Sequence, residues 1–379
     1  MKFIDLERQQ NRIREGLERR IRKVLDHGKY IMGPEVAEIE ESLAQFVGVK
    51  HCISCANGTD ALLMALMARG IGPGDAVFTT PFTFIATAEV IALLGATPVF
   101  VDIDAQTFNL SPVVLENAIE RFSNGMLPNG KDYRGLKARA IIAVDLFGLP
   151  ADYTALEKIA LKHDLFLVED GAQSFGASHD GRMACSFGDI ATTSFFPAKP
   201  LGCYGDGGAI FTNNDSTADM LRSIRIHGKG RDKYDNIRIG INGRLDTLQA
   251  AVLLEKMEIF SEEIELRQVT AQRYSTFIRL PAQVPYIPEE SRSAWAQYSI
   301  KVPDREILKN KLHTAGIPTM IYYPKPLHRL KAFEYLQYSR GSLTVAESVA
   351  DTVISLPMHP YIHQDEQTRI ADVVNGQIE

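Results

Sequence analysis

The sequence predicts an α/β fold, with a large, mostly parallel sheet followed by a smaller C-terminal α+β domain. Short β-branched or apolar runs alternate with helical patterns through the first two thirds of the chain. These runs are apolar throughout, which is typical of strands covered by helices on both faces. After about residue 250 the pattern changes to a long amphipathic helix, short strands and short helices. We therefore expect a large domain over residues 1–250 and a small domain over residues 251–379.

The elements follow one another in a regular order. The opening segment MKFIDLERQQNRIREGLERR has a charged, helical pattern, and EKMEIFSEEIELRQVTAQRYSTFI predicts the long helix. The segment at residues 121–135, RFSNGMLPNGKDYRG, is rich in Gly, Asn and Pro and predicts a surface loop. Strands are predicted at DAVFTT, TPVFVDID, ARAIIAVDLFG and LFLVEDGA, and the helices TAEVIALLGA and LEKIALKHD lie among them.

Composition and charge narrow the possible partners. The chain has 41 basic and 47 acidic residues, a net charge of −6 and no run of like charges, which argues against nucleic-acid binding. It lacks both the apolar core of a signal peptide and the roughly 18 consecutive apolar residues needed to cross a membrane, so we expect a cytoplasmic protein. The four cysteines do not form a disulfide framework. No metal site is expected, since His359 and His363 flank Pro360 and lack an acidic partner.

Two loop-to-helix junctions are candidates for binding a phosphate group. Gly58 and Thr59 begin a strongly helical segment in ANGTDALLMALMARG, and a helix N-terminus presents unpaired N–H groups to an anion. Asn242, Gly243 and Arg244 precede a second helix in IGINGRLDTLQAAVLLEKM, where polar side chains could reach a phosphate or an acidic substrate. At both places simple helix capping is the alternative explanation, with Thr59 as the N-cap at the first junction.

An acidic residue and a lysine stand where strands end. Asp170 closes the strand LFLVED, at the sheet edge where ligands of α/β proteins bind, and Gln173 follows three residues later. Both could also be ordinary turn residues. Lys199 lies between Pro197 and Pro200, just before a glycine-rich loop with apolar and small neighbours. Such a lysine is suited to bond covalently with a carbonyl group, because a partly enclosed amine has a depressed pKa.

Five motifs in this order resemble the DegT/StrS family of sugar aminotransferases, and the similarity runs over nearly the whole chain. The motifs are GTDAL at 58–62, PFTFIATAEVIALLGATPVFVDID at 81–104, EDGAQSFGA at 169–177, SFFPAKPLGCYGDGGAI at 194–210 and NGRLDTLQAA at 242–251. The resemblance implies the fold type I architecture of pyridoxal phosphate enzymes. It also implies an obligate homodimer whose active sites lie at the subunit interface.

The resemblance assigns a role to each candidate residue. Lys199 matches the lysine that carries pyridoxal 5′-phosphate, and Asp170 matches the residue that keeps the pyridine nitrogen protonated. Gln173 matches a residue near the ring hydroxyl. The implied phosphate site comprises Gly58, Thr59 and Ser194, with Asn242 from the other subunit. Phe84 matches an aromatic residue that stacks on the ring, although core packing is the alternative.

The implied reaction moves an amino group from L-glutamate to a ketone carbon of a nucleotide-linked sugar. Lys199 serves in it as both tether and general acid/base. Some relatives carry histidine in place of this lysine and dehydrate sugars, so the lysine argues against dehydration. A regulator that binds the cofactor without turnover is a third possibility, but it would usually carry a DNA-binding extension.

The sugar acceptor is predicted from finer similarities. KFIDLERQQNRIR, GKYIMGPEV and SLPMHPY are most similar to family members that aminate C3 of a UDP-linked 3-oxo-2-acetamido uronate for bacterial surface polysaccharides. Keto-deoxyhexoses with a 3-oxo or 4-oxo group remain alternatives. The predicted substrate contacts are Arg244, for the uronate carboxylate, with Tyr322 and Tyr323 from IYYPKPLH, a segment that departs from the HYP form of that group. Lys229 and Arg231 are possible helpers or simply solvated loop charges.

Overall fold

The computed structural model describes residues 1–126, 135–232 and 234–376. Its helices are α1 (Leu6–His27), α2 (Pro34–Val47), α3 (Gly58–Ala68), α4 (Ala86–Leu93), α5 (Pro112–Ser123), α6 (Tyr153–Lys162), α7 (Asp215–Ile224), α8 (Thr247–Phe277), α9 (Arg305–Thr314), α10 (Thr344–Thr352) and α11 (Gln364–Val374). Its strands are β1 (His51–Cys55), β2 (Asp75–Thr79), β3 (Thr97–Phe100), β4 (Lys137–Val144), β5 (Phe166–Asp170), β6 (Ser178–His179), β7 (Arg182–Met183), β8 (Ile190–Ser194), β9 (Gly208–Thr212), β10 (Ser291–Arg292), β11 (Tyr298–Lys301) and β12 (Val353–Leu356).

A seven-stranded sheet organises the larger part of the chain. Its strand order is β1-β9-β8-β5-β4-β2-β3. The five strands from β8 to β3 pair in parallel, and β9 is antiparallel to both of its neighbours. The predicted α/β fold with a mostly parallel sheet is therefore confirmed. Parallel strands end at one common edge, so residues that follow β4, β5 and β8 are brought together there.

Helices cover both faces of this sheet, which explains why its strands are apolar at successive positions. Every residue of β2 is buried. Val77 packs on one face against α3 and α4, while its neighbours Ala76 and Phe78 pack on the other face against α5 and α6. Since successive side chains of a strand point to opposite faces, both faces must be apolar.

A single long helix, α8, links the large sheet to the C-terminal part of the chain. Two neighbouring sequence patterns that each predicted a helix form this one continuous element of 31 residues, Thr247–Phe277. Its end packs through Ala271 and Tyr274 against the two-stranded sheet β11–β12 and the helices α9 and α11. The predicted division after residue 250 falls inside the first turns of α8, and it stays a prediction.

The predicted loop at residues 121–135 is only partly described. Residues 121–123 complete α5, with a turn after them, and residues 127–134 lie outside the described residues. None of the helices in the described ranges combines the length and apolar character that a membrane-spanning segment requires.

Candidate active site

The carboxyl edge of the large sheet gathers most of the predicted site residues. Asp170 is the last residue of β5, and it pairs with Val144 of β4 and Thr192 of β8. Ser194 ends β8, and Lys199 follows in the loop after it. The first residue of α3, Gly58, lies against Ser194, so residues far apart in sequence share one place.

Asp170 is a buried carboxylate with two hydrogen-bond donors. The Thr87 hydroxyl donates to Oδ2 at 2.8 Å, and the Ala172 N–H donates to Oδ1 at 3.3 Å. Burial raises the pKa of Asp170, while these donors and the nearby Lys199 cation oppose that shift. The carboxylate is thus held in one orientation at the edge of the sheet, where it is suited to pair with a buried cationic ring nitrogen.

Lys199 is a partly buried amine close to Asp170. Burial lowers the pKa of Lys199 to about 8, and the charge of Asp170 acts in the opposite direction. The loop around it is fixed by α8, because Lys256 Nζ donates to the Gly202 carbonyl at 2.5 Å and the Tyr204 N–H donates to Gln249 at 2.9 Å. About one tenth of the amine is therefore unprotonated at pH 7, far more than for an ordinary lysine.

The start of α3 forms a close-packed cradle with β8 and β9. A Cβ at Gly58 would lie 2.7 Å from the Ser194 Cβ, and a Cβ at Gly208 would lie 2.5 Å from the Asn57 carbonyl oxygen. Asn57 is the N-cap, and its side chain accepts from the Asp60 N–H at 2.7 Å. The alternative that Thr59 is merely the N-cap is therefore wrong, since Thr59 is the second residue of the helix.

Gln173 and Tyr323 lie near Asp170, and Phe84 lies next to Tyr323. Gln173 Oε1 accepts from the Phe147 N–H at 2.8 Å, and the Gln173 side chain also interacts with the Tyr323 hydroxyl. Burial and the charge of Asp170 raise the pKa of Tyr323. The Phe84 ring centroid lies 6.4 Å from that of Tyr323, and Phe84 is 55% exposed just before α4. Core packing is therefore not the explanation for Phe84.

The second junction approaches the cradle through its main chain. The Ala56 N–H donates to the Gly243 carbonyl at 3.1 Å, which places residues 242–244 beside the start of α3. Asn242 is exposed to solvent and Arg244 is partly buried. Within the described residues, the buried Arg244 Nε has no hydrogen-bond partner.

Tyr322 contacts the N-terminal segment, with 6.4 Å between its ring centroid and that of Phe3. Arg231 is exposed in its loop.

Two contacts at this site were not predicted from the sequence. Thr87 lies in an apolar helical stretch, where a threonine gives no sign that its hydroxyl reaches a carboxylate. The Phe147 contact with Gln173 is made by the main chain, so no side-chain pattern could indicate it. Both depend on how β4, α4 and β5 are placed relative to one another.

Comparison with known proteins identifies the group to which this arrangement belongs. The model of the DegT/DnrJ/EryC1/StrS aminotransferase family matches residues 11–375. A UDP-2-acetamido-2-deoxy-3-oxo-D-glucuronate aminotransferase of Pseudomonas aeruginosa is 49% identical over 363 residues, which cover 96% of each protein. A pleiotropic regulatory protein of Geobacillus stearothermophilus is 39% identical over 376 residues, 98% of this chain and 97% of that protein.

Solved structures agree with this result. A DegT/DnrJ/EryC1/StrS aminotransferase from Brucella abortus superimposes with a TM-score of 0.95 at 52% identity, over 100% of this chain and 99% of that chain. NtdA from Bacillus subtilis, solved with bound PMP, gives a TM-score of 0.88 at 30% identity, over 99% of this chain and 84% of that chain. The expected fold of pyridoxal phosphate aminotransferases is therefore confirmed.

Proposed function

Because the chain belongs to the DegT/DnrJ/EryC1/StrS aminotransferase family, we propose that it aminates C3 of UDP-2-acetamido-2-deoxy-3-oxo-glucuronate with L-glutamate as donor. The protein is a pyridoxal phosphate-dependent nucleotide-sugar aminotransferase. The particular sugar is supported by the 49% identical relative that bears this substrate in its name. A 3-oxo or 4-oxo deoxyhexose linked to UDP or dTDP is the alternative acceptor.

The residues present fit the cofactor. Gly58 and Gly208 let the first turn of α3 pack directly against Ser194 and β9. The N–H groups of that turn are proposed to bind the phosphate, as a helix N-terminus can. Lys199 supplies the amine, and Asp170 supplies a buried carboxylate for the ring nitrogen. When bound, the cofactor supplies an electron sink for breaking and forming bonds at the amine-bearing carbon. Thr59, Ser194 and Gln173 are proposed to complete its contacts, and Asn242 would reach the phosphate of the partner subunit.

Lys199 is proposed to hold the cofactor and to move the proton at the reacting carbon. A general acid/base works best when its pKa is near the working pH, and burial brings the pKa of Lys199 to about 8. Asp170 stays fixed throughout, because the Thr87 hydroxyl and the Ala172 N–H hold its two oxygens. The chain thus separates the mobile acid/base from the rigid counter-charge.

Arg244, Tyr322 and Tyr323 are proposed to bind the sugar. The Arg244 Nε has no partner among the described residues, so a uronate carboxylate would give it one. The Tyr323 ring lies next to Phe84, which is proposed to stack on the cofactor ring, and the Tyr322 ring lies next to Tyr323. If Arg244 binds a carboxylate, an acidic sugar would be preferred over a 6-deoxy sugar.

A cytoplasmic homodimer that serves surface polysaccharide (lipopolysaccharide or O-antigen) synthesis is the proposed working form. Large apolar side chains are exposed near the site in the single chain, among them Phe84, which is 55% exposed, and Phe196, which is 52% exposed. The main-chain carbonyl of Phe196 accepts a hydrogen bond from the main-chain N–H of Lys199, so the two residues are close neighbours. Burial of such side chains by a second copy would enclose the active site.

A non-catalytic regulator is the second candidate function, and the relative named as a pleiotropic regulatory protein is the observation in its favour. One experiment separates the candidates. Enzyme loaded with pyridoxamine phosphate is offered UDP- and dTDP-linked 3-oxo and 4-oxo sugars, and the return of visible absorption is followed. We expect the fastest return with the UDP-3-oxo-uronate. Preference for a 4-oxo sugar would refute the acceptor, and no return with any sugar would favour the regulator.

A further inference from the structure

Two carboxyl groups are completely buried behind Asp170. Glu169 precedes Asp170 in β5, and Asp145 follows the end of β4, and both are 0% exposed. The Asp145 N–H donates to the Asp170 carbonyl at 3.1 Å, so the two chain segments are joined at this point. Successive side chains of a strand alternate in direction, so Glu169 points to the sheet face opposite Asp170.

The neighbours of these two carboxyl groups are neutral donors. Glu169 accepts the N–H groups of Cys185 and Phe187. Asp145 accepts the Ala151 N–H at 3.0 Å, the Tyr153 hydroxyl at 2.8 Å and the Ser174 hydroxyl at 2.6 Å. The side chains of Asp145 and Glu169 are close enough for each to influence the pKa of the other. In the described part of the chain, neither forms an ion pair with a basic side chain.

Two neighbouring carboxyl groups that are fully buried and have no ion pair among the described residues favour a proton between them. Each ionised carboxylate only accepts hydrogen bonds, so a hydrogen bond between Asp145 and Glu169 needs one protonated partner. Two buried negative charges without a cation would also be very unfavourable. We propose that Glu169 and Asp145 share one proton, and that the pair positions Asp170 and Gln173 while keeping a single negative charge behind the cofactor ring.

Charge and burial agree with this assignment. Burial raises the pKa of Asp145 to about 6 and raises that of Glu169 well above its usual range. Both directions favour one protonated carboxyl group within the pair at neutral pH. The titratable groups that face the pair from neighbouring segments are Tyr153, Cys185 and Asp170. None of the three is a cation.

The pair reaches both proposed cofactor contacts through short connections. Asp145 binds the hydroxyl of Ser174, the residue next to Gln173, and its main chain binds the Asp170 carbonyl. Two residues after Asp145, the Phe147 N–H holds the Gln173 side chain. Asp145 and Glu169 are therefore positioning residues, which act through Asp170 and Gln173. This role rests on the proposed cofactor contacts of those two residues.

Infrared spectroscopy of the unmodified holoenzyme tests the shared proton directly. At pH 7 we expect the carbonyl stretch of a protonated carboxylic acid, which should disappear in Glu169→Gln and persist in Asp75→Asn. Asp75 is a matched control, because it is a buried aspartate with Arg139 nearby. It is the first residue of β2 and so lies away from the carboxyl edge of the sheet. Absence of the band in the unmodified protein would overturn the proposal, whatever the variants do.

A pH titration of the visible band of the holoenzyme tests the charge. The double variant Asp145→Asn/Glu169→Gln keeps the shape of the pair but removes its negative charge, so the midpoint should move down by about half to one pH unit. Ser174→Ala removes the hydrogen bond from the Ser174 hydroxyl to Asp145 and leaves both carboxyl groups in place. It should therefore weaken cofactor binding several-fold without moving the midpoint of the titration. If the double variant does not fold, the infrared result decides.

Two failures are distinguishable in these measurements. A wild-type protein that shows no visible band with pyridoxal phosphate would contradict the proposed function. A normal visible band whose midpoint is unchanged in a folded, loaded double variant would contradict only the role of the pair.

Discussion

At Lys199, burial controls how the amine reacts. An unprotonated amine attacks a carbonyl, and the pKa of Lys199 is lowered to about 8. The rate at which the apoenzyme takes up pyridoxal phosphate should therefore rise with pH and level off above about pH 8. Stopped-flow absorption measures this rate. In Asp170→Asn the midpoint should move to lower pH, because the charge that favours the protonated amine is lost.

Lysine replacement provides the companion measurement. Lys199→Ala should lose the adduct that borohydride traps, while Lys158→Ala, at an exposed position of α6, should keep it. A rate that keeps rising well beyond pH 9, as for an ordinary surface lysine, would contradict the lowered pKa.

Asp170 should be far more sensitive to replacement than its partner Thr87. Asp170→Asn removes the counter-charge of the ring nitrogen, so both half-reactions should slow by orders of magnitude while the cofactor stays bound. Thr87→Val removes a donor that lowers the pKa of Asp170, so this pKa should rise. Activity should then be lost at a higher pH than in the wild type as the solution is acidified. Single-turnover rates over a pH series measure both effects, and superimposable profiles for wild type and Thr87→Val would count against this contact.

Arg244 is where the choice of sugar can be tested. If it binds the uronate carboxylate, Arg244→Leu should cost about 2–5 kcal/mol in kcat/KM for the uronate, because an unpaired charge is left in the complex. A 6-deoxy analogue has no carboxylate and serves as the internal control, with a much smaller loss. Equal losses for the two sugars would exclude this role for Arg244.

At the scale of elements, the start of α3 depends on the absence of a side chain. In Gly58→Ala the new Cβ would lie 2.7 Å from the Ser194 Cβ, so the backbone must move and the N–H groups of the first turn are displaced. We expect cofactor affinity to fall at least about tenfold, or about 1.4 kcal/mol, in an equilibrium titration. Gly72→Ala is a matched control, since its nearest neighbour would be 3.8 Å away. Equal affinities in the two variants would show that the cradle does not bind the phosphate.

The sequence could predict elements better than the contacts between them. The strands β2, β4 and β5 have unbroken apolar patterns that follow from burial on both faces, so they could be recognised without a structure. Lys199, Asp170 and Gly58 stand at strand or helix ends, which made them candidates. The alternative that Thr59 caps α3 was wrong, and Asn57 is the N-cap. Both residue types are good helix caps, and only the backbone conformation decides between them.

What could not be predicted depends on tertiary placement. The Thr87 hydroxyl reaches Asp170 from 83 positions away, and the Ser174 hydroxyl binds Asp145 across 29 positions. Residue type gives no indication of such pairs, since a buried threonine or serine usually bonds to a nearby carbonyl. Phe84 illustrates the converse, because an apolar neighbourhood suggested packing and the side chain is exposed.

At the scale of the whole molecule, shared active sites can be tested by complementation. If Asn242 completes the partner's phosphate site, Lys199→Ala and Asn242→Ala proteins should each be inactive alone. A mixed dimer then has one site with both defects and one site with neither. Subunit exchange should therefore restore part of the activity, at most half per hybrid dimer. Exchange demonstrated by mass spectrometry without any recovery would mean that Asn242 acts within its own subunit.

The helix α8 also limits how this protein can be recombined with its relatives. With 31 residues it is about 46 Å long, and it begins beside the loop of Asn242 and Arg244 and ends in the C-terminal core. A chimera joined at residue 250 would combine the first turn of one parent's helix with the remainder of another's. A junction after Phe277 would instead take the whole of α8, together with the loop before it, from the N-terminal parent. Exchange of C-terminal segments at that junction should yield folded hybrids whose nucleotide-sugar preference follows the N-terminal parent wherever Arg244 decides it.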